Sequence, residues 1–160
     1  MAKEKNSKTN AIRELEAAGA TFETHFFDPE QAISGTEVAA FLGEDPDSVF
    51  KTLVTVGKSG EHYVFMVPVA CELDLKKAAT AVGEKSIAMI KSKELLPLTG
   101  YIHGGCSPIG MKKQFTTTID ETAELYDKIL FSGGKLGCQI EATLADLQKV
   151  TPVTLANITV

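Results

Sequence analysis

The period of the apolar positions changes several times along the first half of the chain, and each change marks an element. From Thr9 onward, Ala11, Ile12, Leu15 and Ala18 recur at helical spacing, and Gly19 stands where such a helix ends. Residues 21–27 are rich in β-branched and aromatic side chains and predict a strand. Beyond Pro29, Ser34 with Glu37 three residues later forms a capping box. It opens a short helix with Val38, Phe41 and Leu42 on one face and Gly43 closing it. Asp45-Pro46-Asp47 reads as a turn or a single helical turn. Residues 49–56 are the clearest strand, Gly57 to Gly60 a hairpin connection, and 62–69 the return strand. Both strands are apolar on both faces, which predicts a central place in a sheet or barrel.

In the second half, Asp74 caps a helix over 75–82 with Gly83 after it, and 86–90 reads as a strand. Ser92 begins a short helix that Pro97 should end. Residues 115–120 are extended and 121–126 form a helical turn. Residues 129–132 and 136–141 make a hairpin-like unit about Gly133-Gly134. Thr143 and Asp146 start a last helix with Leu144, Leu147 and Val150 inward, and the apolar tail 152–160 adds an edge strand or packs on the core. Residues 1–7 are expected to be a frayed tail. No repeat or linker divides the chain, so residues 1–160 are expected to form one mixed α/β domain with a largely antiparallel sheet.

Composition narrows the class. At 160 residues, 44% hydrophobic and 23% charged, the chain can bury a real core without staples. No apolar run approaches the ~18 residues that span a bilayer, and the charged N-terminus lacks a signal-peptide core, so a cytoplasmic protein with no membrane contact is expected. Cys71, Cys106 and Cys138 are odd in number and lack Cys-x-x-Cys spacing, and His25, His62 and His103 are scattered. Neither a disulfide framework nor a metal site is implied, and no cofactor is expected. A net charge of −5 argues against nonspecific coating of nucleic acid, although Lys51, Lys76, Lys77, Lys112, Lys113 and Lys135 recur near glycine-rich features.

Two features could carry chemistry. Residues 100–113 hold four glycines, a proline and two adjacent lysines, a composition suited either to a binding loop or to a long turn. Lys51 places an ammonium in an otherwise apolar strand, where it faces a cavity, a partner or solvent, or snorkels from the strand's end. Residues 132–137 (Ser-Gly-Gly-Lys-Leu-Gly) fail the phosphate-loop pattern and precede a strand instead of a helix. No Gly-x-Ser-x-Gly elbow is present, and no Ser/His/Asp set stands out. An enzyme built on this chain therefore works without an obvious protein nucleophile.

Four segments taken together carry a resemblance. They are 49–53 (Val-Phe-Lys-Thr-Leu), 68–70 with 73–77, 104–110 (Gly-Gly-Cys-Ser-Pro-Ile-Gly) and 132–135 (Ser-Gly-Gly-Lys). In order and spacing the chain resembles the YbaK/EbsC aminoacyl-tRNA deacylases, the free-standing YbaK type most closely; the editing domain inserted in bacterial prolyl-tRNA synthetases shares that fold. The resemblance implies a barrel-like, mixed and largely antiparallel sheet surrounded by helices. It implies clearance of mischarged tRNA, chiefly Cys-tRNA(Pro), at the 3′ aminoacyl-adenosine end. The acidic balance points to weak intrinsic tRNA affinity and to recruitment by prolyl-tRNA synthetase as an expected partner. The family's lysine maps onto Lys51, and its pocket-shaping loop onto Gly104, Gly105, Ser107 and Pro108.

Lys51, Gly104 and Gly105 are the expected catalytic groups, the glycine amides donating to the ester carbonyl. Phe27, Ser107, Pro108, Ser132, Gly133, Gly134 and Lys135 are the expected substrate contacts. Cys106 lies inside the loop, but no activating base is evident near it. Two departures bear on preference: Phe27 stands two residues past His25 where relatives often have tyrosine, and Gln139 stands where they commonly have aspartate. A non-catalytic tRNA-end or synthetase-binding module is the alternative function, and a small-molecule esterase a third.

Overall fold

Capping residues and left-handed glycines cut the chain at the places their chemistry dictates. The computed structural model describes residues 8–32 and 34–160, so the tail expected over 1–7 lies outside the described residues. Helix α1 (Asn10–Ala17) starts at Thr9, whose hydroxyl accepts the Ile12 amide at 3.2 Å and donates to the Gly133 carbonyl at 2.5 Å. The cap thus ties α1 to a distant turn. Strand β1 is Phe22–Phe26, and helix α2 (Gly35–Leu42) carries the expected Ser34/Glu37 capping box. A 3-10 turn, Pro46–Ser48, precedes β2 (Phe50–Gly57) and β3 (His62–Pro68). Helix α3 (Leu75–Val82) is capped by Asp74, and β4 (Ile87–Met89) follows it.

Helix α4 (Ser92–Thr99) differs from expectation, because Pro97 lies inside it and Gly100 ends it. Its last carbonyls find partners outside the helix. The Lys112 amide donates to Thr99 O at 3.0 Å and the Lys112 ammonium to Pro97 O at 3.4 Å. Those bonds serve the helix end; the amide that Pro97 lacks would have met the carbonyl of Lys93, an exposed residue where water can take its place. The chain continues through β5 (Thr116–Asp120), a 3-10 turn (Glu121–Leu125), β6 (Ile129–Ser132), β7 (Cys138–Ala142), α5 (Leu144–Gln148) and β8 (Val153–Ala156).

The strands form two sheets, ordered β1-β7-β6 and β4-β2-β3-β5-β8. The first is antiparallel throughout. In the second, β3–β5 and β5–β8 are parallel, so the largely antiparallel expectation holds for only part of it. The reason lies in the connections: β5 and β8 each follow a long crossover and not a hairpin. The apolar tail thus becomes an edge strand, as its composition allows. The sheets touch at the Val49–Leu130 bridge, and both contribute to one core, with Phe50, Met66 and Ile119 meeting Phe131, Ile140 and Leu15. The strands curve around this core without forming a closed barrel among the described residues, and the fold is mixed α/β. On the opposite face of β2–β3, α3 packs Ala78 and Ala79 against Phe65 and Val67. No helix among the described residues is long and apolar enough to cross a membrane.

Candidate active site

The hydrogen-bonded neighbours of β2 leave part of its edge unpaired among the described residues. Strand β4 pairs with Thr55–Gly57, and β6 pairs by a single bridge, from Leu130 to Val49 just before β2. Between these contacts opens a cavity of about 400 Å³, lined by every residue from Val49 to Val54. That volume is within the range of small-molecule sites. Its other walls come from α2 (Gly35 and Val38), from the β4–α4 segment (Ile90, Ser92, Leu95), from the glycine loop (His103, Gly104, Cys106), and from Ser132 and Gln139 of the first sheet.

Strand alternation assigns the side chains of β2. Phe50 and Val54 join the clusters on the side of α1 and the glycine loop, and Thr52 shares that parity. Lys51 shares the parity of Leu53, on the side covered by α3. Because the cavity lies at the strand's edge, both sides border it. Lys51 Nζ sits 3.7 Å from Glu72 Oε1, with the lysine side chain 29% exposed and the glutamate 83% exposed. A pair this open to water is weak, so the ammonium is not pinned.

Of the residues expected from sequence, Lys51, Gly104 and Ser132 line the cavity, and the others are not among its lining residues. Gly105 requires a correction. Its amide donates to Ile102 O at 3.0 Å and is therefore committed within the loop, whereas the Gly104 amide makes no backbone hydrogen bond among the described residues. The role of Gly105 is close approach: a Cβ there would lie 3.0 Å from the backbone of Lys135. A Cβ on Gly104 would meet the Leu136 side chain at 2.8 Å. The two glycine-rich segments thus pack on each other, the 132–137 turn buttressing the 104–110 loop.

Ser107 is fully buried and accepts the Ile109 amide, and the Pro108 carbonyl accepts from Thr151. Both anchor the loop from below. Gly133 and Gly134 shape the buttressing turn, where the Gly133 amide donates to Cys138 O and the Gly134 amide to Ser132 Oγ. Lys135 lies over the Phe26 ring at 5.6 Å, and the Phe27 ring is 6.1 Å from that of Phe41. Among the described residues, none of these side chains lines the cavity.

The model of the aminoacyl-tRNA editing domain matches residues 29–150. The chain belongs to that family. It is 45% identical over 99% of its length to EbsC of Enterococcus faecalis, which carries the provisional name Cys-tRNA(Pro)/Cys-tRNA(Cys) deacylase, and covers 98% of that protein. It is also 33% identical over 84 residues to the proline–tRNA ligase of Pelobacter propionicus, covering 52% of this chain and 15% of the ligase. A crystal structure described as a provisional trans-editing enzyme for prolyl tRNA synthetase superposes with a TM-score of 0.84. Identity there is 26%, over 96% of this chain and 99% of the other.

Within this editing domain, the polar atoms that look into the cavity are distinctive. Thr52 Oγ1 and Gln139 Oε1 are buried without a hydrogen-bond partner among the described residues. A buried orphan acceptor is costly unless something else supplies the hydrogen bond, and a bound ligand is the natural supplier at a cavity wall. Thr52 gave no sequence signal, since a threonine within a strand is ordinary. Gln139 was visible only as a departure from the family pattern. Opposite it in register stands His25, whose Nε2 is 2.8 Å from Glu141 Oε1. Glu23, His25 and Glu141 bring donor atoms within 4.8 Å of one another; spacing along the chain gives no hint of this group, which exists only through the β1–β7 pairing.

Cys106 lines the cavity but is only 7% exposed, and burial pushes its thiol up to about 12, with the Thr99 hydroxyl offsetting part of the rise. At neutral pH it is a thiol, not a thiolate. Replacing it with alanine is expected to leave kcat/KM on a charged tRNA within about threefold of wild type, because a neutral buried thiol is a poor nucleophile. A 100-fold loss in a folded Cys106→Ala protein would return the residue to the reaction.

Proposed function

We propose that this protein is a trans-editing aminoacyl-tRNA deacylase that clears mischarged tRNA, with Cys-tRNA(Pro) as its main substrate. The observation that carries the reading is the cavity at the unpaired edge of β2, small enough for an aminoacyl group and bordered by Lys51, Gly104, Thr52 and Gln139, where Cys106 is held as a neutral buried thiol. The full-length likeness to EbsC supports the same conclusion.

An aminoacyl ester is already activated, so positioning and charge stabilisation suffice. The cysteinyl thiol attacks the ester carbonyl, forming a C–S bond; the C–O bond to the terminal ribose breaks, and the thiol proton ends on the ribose oxygen. The products are a cysteine thiolactone and an uncharged tRNA. Thr52 and Gln139 accept hydrogen bonds from the α-ammonium group. The Gly104 amide donates to the developing oxyanion, and Lys51, the one lysine or arginine among the described lining residues, stabilises the departing ribose oxygen. The Gly105, Ser107 and Pro108 backbone and the 132–135 turn hold the loop that presents Gly104. The work belongs in the cytoplasm, where charged tRNA is found, and prolyl-tRNA synthetase is the partner that delivers the product of its own misacylation.

A panel of Cys-, Ala- and Ser-charged tRNA(Pro) tests the reading. Deacylation of Cys-tRNA(Pro) is expected to exceed that of Ser-tRNA(Pro) by at least tenfold, because the hydroxyl of serine is a far weaker nucleophile than a thiol. Loss of no charged tRNA above the spontaneous rate would leave a binding module. Equal turnover of simple cysteine esters and of charged tRNA would point to a small-molecule esterase.

A further inference from the structure

The cavity has an asymmetric rim. Residues 88–115, which run from β4 through α4 and the glycine loop to β5, carry Lys91, Lys93, Lys112 and Lys113 against Glu94 alone. That leaves this segment at +3 in a chain whose net charge is −5. All four lysines are exposed. The ion pairs present among the described residues involve other cations: Lys8, His25, Lys51 and Lys149. The Lys112 ammonium instead donates to the Pro97 carbonyl at 3.4 Å, and the Lys113 ammonium lies 5.9 Å from the centre of the Phe115 ring. Both partners are uncharged, so neither contact neutralises the positive charge.

The same segment supplies Ile90, Ser92, Leu95, His103 and Gly104 to the cavity wall, so the positive rim and the site share one piece of chain. Met89, Leu96 and Ile102 are each about half exposed on it (47%, 52% and 49%). Unpaired ammonium groups interleaved with exposed apolar side chains suit a strand of nucleotides, whose phosphates need cations and whose riboses and base faces need apolar cover. A segment at +3 that also forms part of the cavity wall can orient a polyanion toward the site in an otherwise acidic chain.

We infer that the β4–α4–glycine-loop rim is the RNA-docking surface of this protein, where Lys91, Lys93, Lys112 and Lys113 hold the phosphates of the unpaired 3′ end and the first acceptor-stem pairs. The inference rests on the deacylase reading for the identity of the RNA. It places the tRNA on the α4 side of the cavity and leaves the α2 side open for a protein partner.

Binding of an uncharged acceptor-stem hairpin with a CCA end, followed by fluorescence anisotropy across a salt series, tests the surface independently of catalysis. The variant Lys91→Glu/Lys93→Glu/Lys112→Glu/Lys113→Glu is compared with an equal charge change placed elsewhere, Lys58→Glu/Lys76→Glu/Lys85→Glu/Lys128→Glu. The rim variant is expected to bind at least tenfold more weakly and to show a salt slope shallower by roughly 3, since each lost phosphate contact removes about 0.7–0.9 from the slope. Its turnover of cysteinyl-adenosine, too small to reach the rim, should stay within twofold of wild type. Unchanged hairpin affinity and slope, or the same weakening in the control variant, overturns the inference. Failure of the wild type to deacylate any charged tRNA, with the hairpin result intact, would instead sink the deacylase reading and keep the surface.

Discussion

Lys51→Ala should lower kcat/KM for Cys-tRNA(Pro) about 100-fold, mostly through kcat, while changing the stability of the fold by less than about 1 kcal/mol. The split follows from where the ammonium sits. Its only ion-pair partner among the described residues is Glu72, whose side chain is 83% exposed, so their attraction is screened and contributes little to folding. The same looseness lets Nζ leave Glu72 for a ribose oxygen whose negative charge develops as the ester breaks. A cation used only at that moment acts on the transition state, and removing such a group typically costs about 2.7–4 kcal/mol of barrier. Glu72→Gln is the control and should stay within about threefold of wild type. Lys51→Arg should recover part of the loss, since it keeps the charge but not the compact ammonium. A Lys51→Ala protein clearing Cys-tRNA(Pro) at the wild-type rate would remove the residue from the mechanism.

Local chemistry made most of the elements legible. Ser34, Asp74 and Thr143 cap helices because their side-chain oxygens meet orphan amides, and that pattern can be read from a few consecutive letters. Pro97 misleads for the complementary reason: the bond it forfeits is to the carbonyl of exposed Lys93, so the helix runs on to Gly100. Lys112, fifteen residues from Pro97, serves the last carbonyls in a contact no local rule contains. Sheet direction was hidden likewise, since the parallel β3–β5 and β5–β8 pairs are set by where long connections return.

At the site, the four motifs marked the right region but mixed two kinds of residue. Lys51, Gly104 and Ser132 line the cavity, whereas Gly105 lets the 104–110 loop touch the backbone of Lys135, and Ser107 and Pro108 anchor that loop from below. A motif records both without distinguishing them. Thr52 and Gln139 become notable only when burial strips them of partners.

The buttress between those loops carries the largest expected effect on stability. Gly137→Ala should destabilise the protein by on the order of 3 kcal/mol, lowering Tm by roughly 6–12 °C for a chain of this size. Two terms add. Gly137 has φ +78°, a conformation that costs an L-residue about 1–2 kcal/mol. Its missing Cβ would also collide with the Phe27 carbonyl oxygen, a backbone atom that cannot swing aside. Moving that carbonyl strains the Phe27 amide's 2.9 Å bond to Gly137 O, the link that fixes the end of β1 against the start of β7. Gly60→Ala separates the terms, because Gly60 has φ +93° but open space around it. It should lose only the conformational part, about 1–2 kcal/mol. Denaturant titration of both variants reads the difference directly, and equal losses would mean that the Phe27–Gly137 contact does not bind the sheet edge to the turn. Because Leu136 and the Lys135 backbone press on Gly104 and Gly105, Gly137→Ala should also lower deacylation below what its folded fraction accounts for, which ties the stability of this turn to the shape of the cavity.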